Sequence, residues 1–188
     1  MTLAAPLLGV TAPDGHATMA VLLLAAVTLE RLAELVLARR NTAALLAQGA
    51  YEVAPGHYWL IVALHAAWLG GLWVMGWSAP IDLGWLAVFL MLQAGRIWVL
   101  GTLGRRWTTR IIVLPGAPLV TTGPYRFLTH PNYVVVIGEI AVLPLCLGLP
   151  WYALAFSIAN AAVLWVRVRA EAATFLGPAK SATLDANS

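Results

Sequence analysis

The sequence predicts an all-α, polytopic integral membrane protein with about five transmembrane helices, and three observations lead there. First, 61% of the residues are hydrophobic and only 10% are charged, whereas a soluble domain keeps about a quarter of its residues charged. Second, the apolar residues gather into five stretches, each close to the roughly 17 to 25 residues that a helix needs to cross a hydrocarbon core. Third, the Lys and Arg of the connecting segments all fall on one side of that five-span arrangement.

The stretches run over 17–38, 57–77, 83–103, 132–149 and 151–169. The last two form a tight hairpin, because Gly148-Leu149-Pro150 ends one helix and starts the next. Trp151 and Tyr152 follow as interfacial anchors. Arg39 and Arg40 follow span one, Arg105, Arg106, Arg110 and Arg126 lie between spans three and four, and Arg167, Arg169 and Lys180 follow span five. The opposite loops, 1–16, 78–82 and 148–150, hold no Lys or Arg. The positive-inside rule therefore puts the N-terminus outside and the C-terminus in the cytoplasm.

The chain reads as one membrane domain over 1–188: three spans in 1–104, a connection and hairpin in 105–176, and a polar tail in 177–188 expected to fray. No Lys or Arg precedes the first apolar run, so a cleaved signal is not expected. The net charge of +3 reports orientation rather than nucleic-acid binding. A single cysteine, Cys146, excludes an intrachain disulfide and a cysteine-based metal set, and no metal site is expected.

Ionisable groups inside spans need partners or a cavity, since an isolated charge there costs several kcal/mol. In span one, Arg31 and Glu34 are three residues apart and predict an ion pair on one helix face. Arg96 in span three calls for a carboxylate on a neighbouring helix. Glu139 stands alone in YVVVIGEIAVLPL, and three roles stay open for it: pairing with Arg96 or Arg31, protonation, or lining a substrate cavity. His57 and His65 are solitary, and each is expected to hydrogen-bond a neighbouring helix.

The segment with the most chemistry is 119–133, LVTTGPYRFLTHPNY, where helix breakers crowd against the start of an apolar run. Lipid cannot satisfy such a backbone, so the segment must meet water or line a protected cavity. Before it, Ile111-Ile112-Val113-Leu114 and Pro115-Gly116-Ala117-Pro118 read as a short apolar segment at the interface and a turn. The hairpin that begins at His130-Pro131-Asn132-Tyr133 ends at Arg167 and Glu171, four residues apart on one helix face and on the same side of the membrane. Taken alone, that pair is a surface ion pair and His130 is a helix cap.

Taken together, GPYRFLTHPNY, the hairpin and Arg167-Val168-Arg169-Ala170-Glu171 resemble the isoprenylcysteine carboxyl methyltransferase family of membrane enzymes. The likeness covers about half the chain, from Arg96 onward. Within that family the chain looks most like a bacterial branch associated with type III polyketide synthases, which O-methylates alkylpyrones or related lipidic polyketides. ERLAELVLARRN of span one is also similar to that branch.

The resemblance implies methyl transfer from S-adenosylmethionine to an oxygen of a lipidic acceptor, in the bacterial inner (plasma) membrane, with a polyketide synthase as pathway partner. The cofactor would come from the cytoplasm, into a pocket between the span three to four connection and the C-terminal hairpin, and the acceptor from the bilayer. It places Leu119, Val120, Tyr125, His130, Pro131, Asn132 and Tyr133 around the cofactor, Glu171 in contact with it, and Arg167 toward the acceptor. Arg167 and Glu171 are then the catalytic candidates, and Arg167 and Glu139 the substrate-binding ones. Two positions depart from the family pattern: Thr129 replaces a frequent basic residue and Ala172 a frequent second carboxylate. Prenylcysteine carboxyl methylation, phospholipid N-methylation and a non-enzymatic transporter or membrane partner are the alternatives. The absence of repeated halves argues against the transporter.

Overall fold

A computed structural model describes residues 15–53 and 55–185, without the side chains of His57 and of residues 170–185. Most of the expected outer loop 1–16 and the end of the tail lie outside the described residues.

All five predicted stretches are helical: α1 Gly15–Leu46, α2 Tyr58–Gly76, α3 Leu83–Leu103, α4 Pro131–Cys146 and α5 Pro150–Asp185. Among the described residues, three stretches are long and apolar enough to cross a membrane, Tyr58–Gly76, Leu83–Arg106 and Pro150–Arg169. The protein is a mostly helical integral membrane protein. Three helices differ from their expected lengths. At 32 residues, α1 extends well past position 38, because nothing in Arg39 to Leu46 breaks a helix. At 16 residues, α4 stops at Cys146 rather than at 149. The α5 backbone stays helical beyond position 176, where composition marks a tail.

Local chemistry sets the ends. Asp82 starts α3 by accepting hydrogen bonds from the Gly84 and Trp85 amides at 2.8 and 3.0 Å. At the α4–α5 turn, Gly148 has φ +68 and donates its amide to the Leu145 carbonyl, while Leu149 donates to Pro144. This is a Schellman turn, which needs a left-handed residue and therefore favours glycine. Pro150 begins α5 immediately, as expected.

The core lies where α1, α2, α3 and α4 meet, around Leu24, Val27, Trp68, Leu72, Phe89, Ile140 and Leu143. Leu22, Leu29, Val74, Met91, Ile97, Trp151 and Ile158 point outward and are exposed. An apolar exterior of this extent suits lipid, where only the backbone must be satisfied internally. Gly71 lets α5 approach α2, since a Cβ there would collide with the Tyr152 ring, whose hydroxyl donates to the Trp68 carbonyl at 2.8 Å.

Mid-bundle, the buried charges form one cluster. Arg31 pairs with Glu34 at 2.9 Å, as the spacing predicts, and with Glu139 at 2.9 Å. Arg96 pairs with Glu139 at 2.6 Å and makes a two-pronged contact with Glu34. Glu30 stands 3.7 Å from Arg96. Of the three roles open for Glu139, the structure selects pairing with both arginines. The cluster ties α1, α3 and α4 together, and each member's charge is met by an opposite one, as burial requires.

One feature departs from an all-helical reading. Tyr51–Glu52 and Ile112–Val113 form a two-residue antiparallel ladder, β1–β2, with Tyr51 opposite Val113 and Glu52 opposite Ile112. The apolar segment 111–114 thus meets the α1–α2 connection instead of only lying at the interface. Arg110 pairs with Glu52 at 2.8 Å and sits over the Tyr58 ring at 4.7 Å, which closes this clasp.

Candidate functional site

A half-open cavity of about 300 Å³ lies among α1, α2, α4 and α5, with the 107–109 segment along its edge. Its mouth is polar: Asn132 and Tyr133 from the first turn of α4, Arg167 from α5, Thr108 and Thr109, and Tyr58 at the start of α2. Leu35, Ile61, Val62, Val136, Val163 and Leu164 form an apolar waist. Arg31, His65 and Asn160 are polar again at the floor. Arg167 and Asn160 are seven residues apart on α5, so mouth and floor are separated by about 10 Å at 1.5 Å per residue.

The mouth is held by a short network. Arg167 donates from Nε to the Tyr133 hydroxyl and from Nη1 to the Thr109 carbonyl, each at 2.9 Å. The Thr109 hydroxyl shares a hydrogen bond with the Tyr58 hydroxyl at 3.1 Å. These contacts aim the guanidinium across the mouth and connect it to the β1–β2 clasp. His130 stacks on Tyr133 with ring centroids 4.9 Å apart and interplanar angle 13°. Pro131 occupies the first position of α4, where its missing amide hydrogen is no loss. His130 is the N-cap residue of α4, its carbonyl accepting from the Tyr133 amide at 3.0 Å, but its side chain makes no cap hydrogen bond.

The sequence-predicted residues therefore divide. Asn132, Tyr133 and Arg167 meet in the cavity mouth, and His130 backs Tyr133. Tyr125 packs against Ala38, Val99 and Trp107, beside that mouth. Burial pushes its phenol above the ordinary range. Leu119 is 84% exposed and Val120 half-buried in the connection. Glu139 lies in the ion cluster and not in the cavity wall, although its partners Arg31 and Arg96 do line the wall. Glu171 is on the α5 backbone one turn beyond Arg167, and its side chain lies outside the described residues.

Sequence reasoning missed several wall residues: Tyr58, Thr108, Thr109 and Asn160. Asn160 in an otherwise apolar span was the available signal. His65 was expected to bond a neighbouring helix, yet its Nδ1 donates to the Ile61 carbonyl of its own helix at 2.8 Å and the ring faces the cavity. Own-helix carbonyls four residues back are within reach of any such side chain.

Among the described residues, Asn132 Oδ1, Trp107 Nε1 and Arg31 Nε are buried without a hydrogen-bond partner, and all three residues line the cavity. Buried polar atoms are nearly always paired, so these mark positions for a ligand's polar groups or for water. No cluster of His, Cys, Asp or Glu among the described residues suits a metal ion.

Long apolar helices define an integral membrane protein, and the cavity among them is where its chemistry is sought. Comparison with known proteins refines the class. The model of the Isoprenylcysteine carboxyl methyltransferase (ICMT) family matches residues 85–176. The chain is also 41% identical over 155 residues to the uncharacterized protein YpbQ of Bacillus subtilis (strain 168), covering 80% of this chain and 92% of that one. No solved structure matches. Residues 85–176 thus carry the pattern of the isoprenylcysteine carboxyl methyltransferase family, whose members are membrane methyltransferases and typically use S-adenosylmethionine.

Proposed function

We propose that this protein transfers a methyl group from S-adenosylmethionine to an oxygen of a lipidic acceptor, an alkylpyrone-type polyketide. The observation that carries the reading is the convergence of Asn132, Tyr133 and Arg167, from the two ends of the hairpin, on the mouth of an apolar-walled cavity. Five spans, with the N-terminus out and the charged connection cytoplasmic, complete the proposed arrangement. It brings the cofactor from the cytoplasm to the motif segment and the acceptor from the bilayer to the waist.

The residues suit the cofactor. Asn132 Oδ1 calls for a donor and Trp107 Nε1 for an acceptor, and an amino acid end, a ribose and an adenine carry both. Tyr133 with stacked His130, and Tyr125 nearby, offer aromatic faces, and Glu171 would meet the cofactor's amino group. When bound, S-adenosylmethionine supplies a methyl carbon on a sulfonium, and the acceptor oxygen gains it as the carbon–sulfur bond breaks and a neutral thioether leaves.

Arg167 would hold and orient the acceptor oxyanion. Its guanidinium is already aimed by Tyr133 and Thr109, so little reorganisation accompanies the transfer. An oxyanion suits a cation better than an amine does, which favours O- over N-methylation. A carboxylate or an acidic enol is ionised at neutral pH and needs no base, whereas a phenol near pKa ~10 does. With Thr129 and Ala172 in place of a basic residue and a second carboxylate, a pyrone enol or a carboxylate, rather than an unactivated phenol, is the acceptor this site serves without help.

The test is methyl transfer by the purified protein in nanodiscs, from labelled S-adenosylmethionine to alkylpyrones, alkylresorcinols and prenylcysteines. Alkylpyrone labelling is expected, and Arg167→Gln should lower kcat/KM by about 10²- to 10³-fold. Labelling of prenylcysteine alone, or of phospholipid amines, would overturn the acceptor. No cofactor binding under several lipid conditions would sink the enzyme reading and return the transporter or structural partner.

A further inference from the structure

A second cavity, of about 410 Å³, opens at the charged end of the bundle and is lined by Arg40, Asn41, Gln48, Arg105, Arg106 and Leu114, with Ala44 and Leu45 behind. Its lining holds three guanidiniums and, among the described residues, no carboxylate. The described ion pairs involve Arg31, Arg96 and Arg110, so none of the three is neutralised by a described residue. The cavity is a built feature. Asn41, 8% exposed, donates to the Gly104 and Trp107 carbonyls at 3.1 and 2.8 Å, which fastens the end of α1 to the 3-10 turn bearing Arg105 and Arg106. Arg106 is further steadied by donating to the Pro118 carbonyl at 2.5 Å.

We infer that this cavity binds the phosphate of an anionic phospholipid headgroup. Orientation in the membrane explains why arginines gather at this end, but it needs no concavity and no buried amide to converge them. A phosphodiester supplies the missing negative charge, and Arg is the side chain that recognises phosphate in a fork geometry. The source is lipid because the cavity sits at the end of the membrane-crossing stretch Leu83–Arg106. Val36 and Leu37, one turn before Arg40, are exposed and apolar, giving acyl chains a surface directly below the headgroup. The site is separate from the acceptor cavity and stands whether or not the methyl acceptor is a pyrone.

Native mass spectrometry of the protein in neutral detergent, titrated with phosphatidylglycerol, tests it. One phosphatidylglycerol should be retained where phosphatidylcholine of the same chains is not. Combined Arg40→Gln, Arg105→Gln and Arg106→Gln should weaken retention about a hundredfold, roughly fivefold per guanidinium, and the corresponding three Lys substitutions should restore most of it. If the triple variant does not fold, Arg105→Gln alone carries the test with its fivefold loss. Equal retention of the two lipids, or unchanged retention in the folded Gln variants, overturns the site. Displacement of phosphatidylglycerol by millimolar inorganic phosphate would assign the cavity to a soluble anion and overturn the lipid.

Discussion

Two sets of arginines in this protein obey opposite rules. Arg31 and Arg96 lie mid-bundle, and both pair with Glu34 and Glu139, Arg96 with Glu30 as well. Arg40, Arg105 and Arg106 lie at the bundle end around a cavity in which no described residue is acidic. The difference follows from dielectric. Inside the bundle a charge must be met by its opposite within the chain, so arginine becomes a helix fastener. At the headgroup level water and lipid complete the charge, and the arginine keeps its field for a partner.

The largest test of that contrast is Arg96→Ala. It leaves Glu34 and Glu139 buried with Arg31 alone and should destabilise by about 3–5 kcal/mol, read as unfolding in mixed micelles. Combining it with Glu139→Gln should be clearly less than additive, by at least about 0.5 kcal/mol, because the two residues share one cluster. An additive result would break the fastener view. Next is Asn41→Ala, which strips two carbonyls of their donor and should cost about 1–3 kcal/mol while also weakening phosphatidylglycerol retention. Arg105→Gln should change stability by less than about 0.5 kcal/mol, since it touches no buried partner. A comparably small effect belongs to Glu52→Gln. Its ion pair with the 42% exposed Arg110 side chain should contribute no more than about 0.2–1 kcal/mol and fade as salt rises.

Local chemistry was legible in the sequence, and encounters between distant residues were not. The Gly148-Leu149-Pro150 turn and the Arg31–Glu34 pair could be read because each is settled within one or two turns of chain. The need of Arg96 for a carboxylate could be read from its burial cost, but its choice of Glu34 and Glu139 could not, since these lie 62 and 43 residues away. The β1–β2 ladder escaped because two-residue strands leave no periodicity. In the site, the motif segment pointed to Asn132, Tyr133 and Arg167, which do meet. Leu119 and Val120 carry no geometric signal that would place them. Asn160 stood out as a polar residue in an apolar span, but neither it nor the α2 wall could be assigned to the cavity, because single polar residues in apolar helices do not say which neighbour they face.

The Schellman turn at Gly148 makes the α4–α5 hairpin a ruler. With no slack between Cys146 and Pro150, the 34 residues that separate Tyr133 from Arg167 fix both the height and the angular phase at which the guanidinium returns to the mouth. One residue inserted between Tyr152 and Arg167 would swing Arg167 by about 100° around α5, because a turn takes 3.6 residues. It would then leave the cavity without any change to a side chain in the wall. Length in this hairpin is thus itself part of the site.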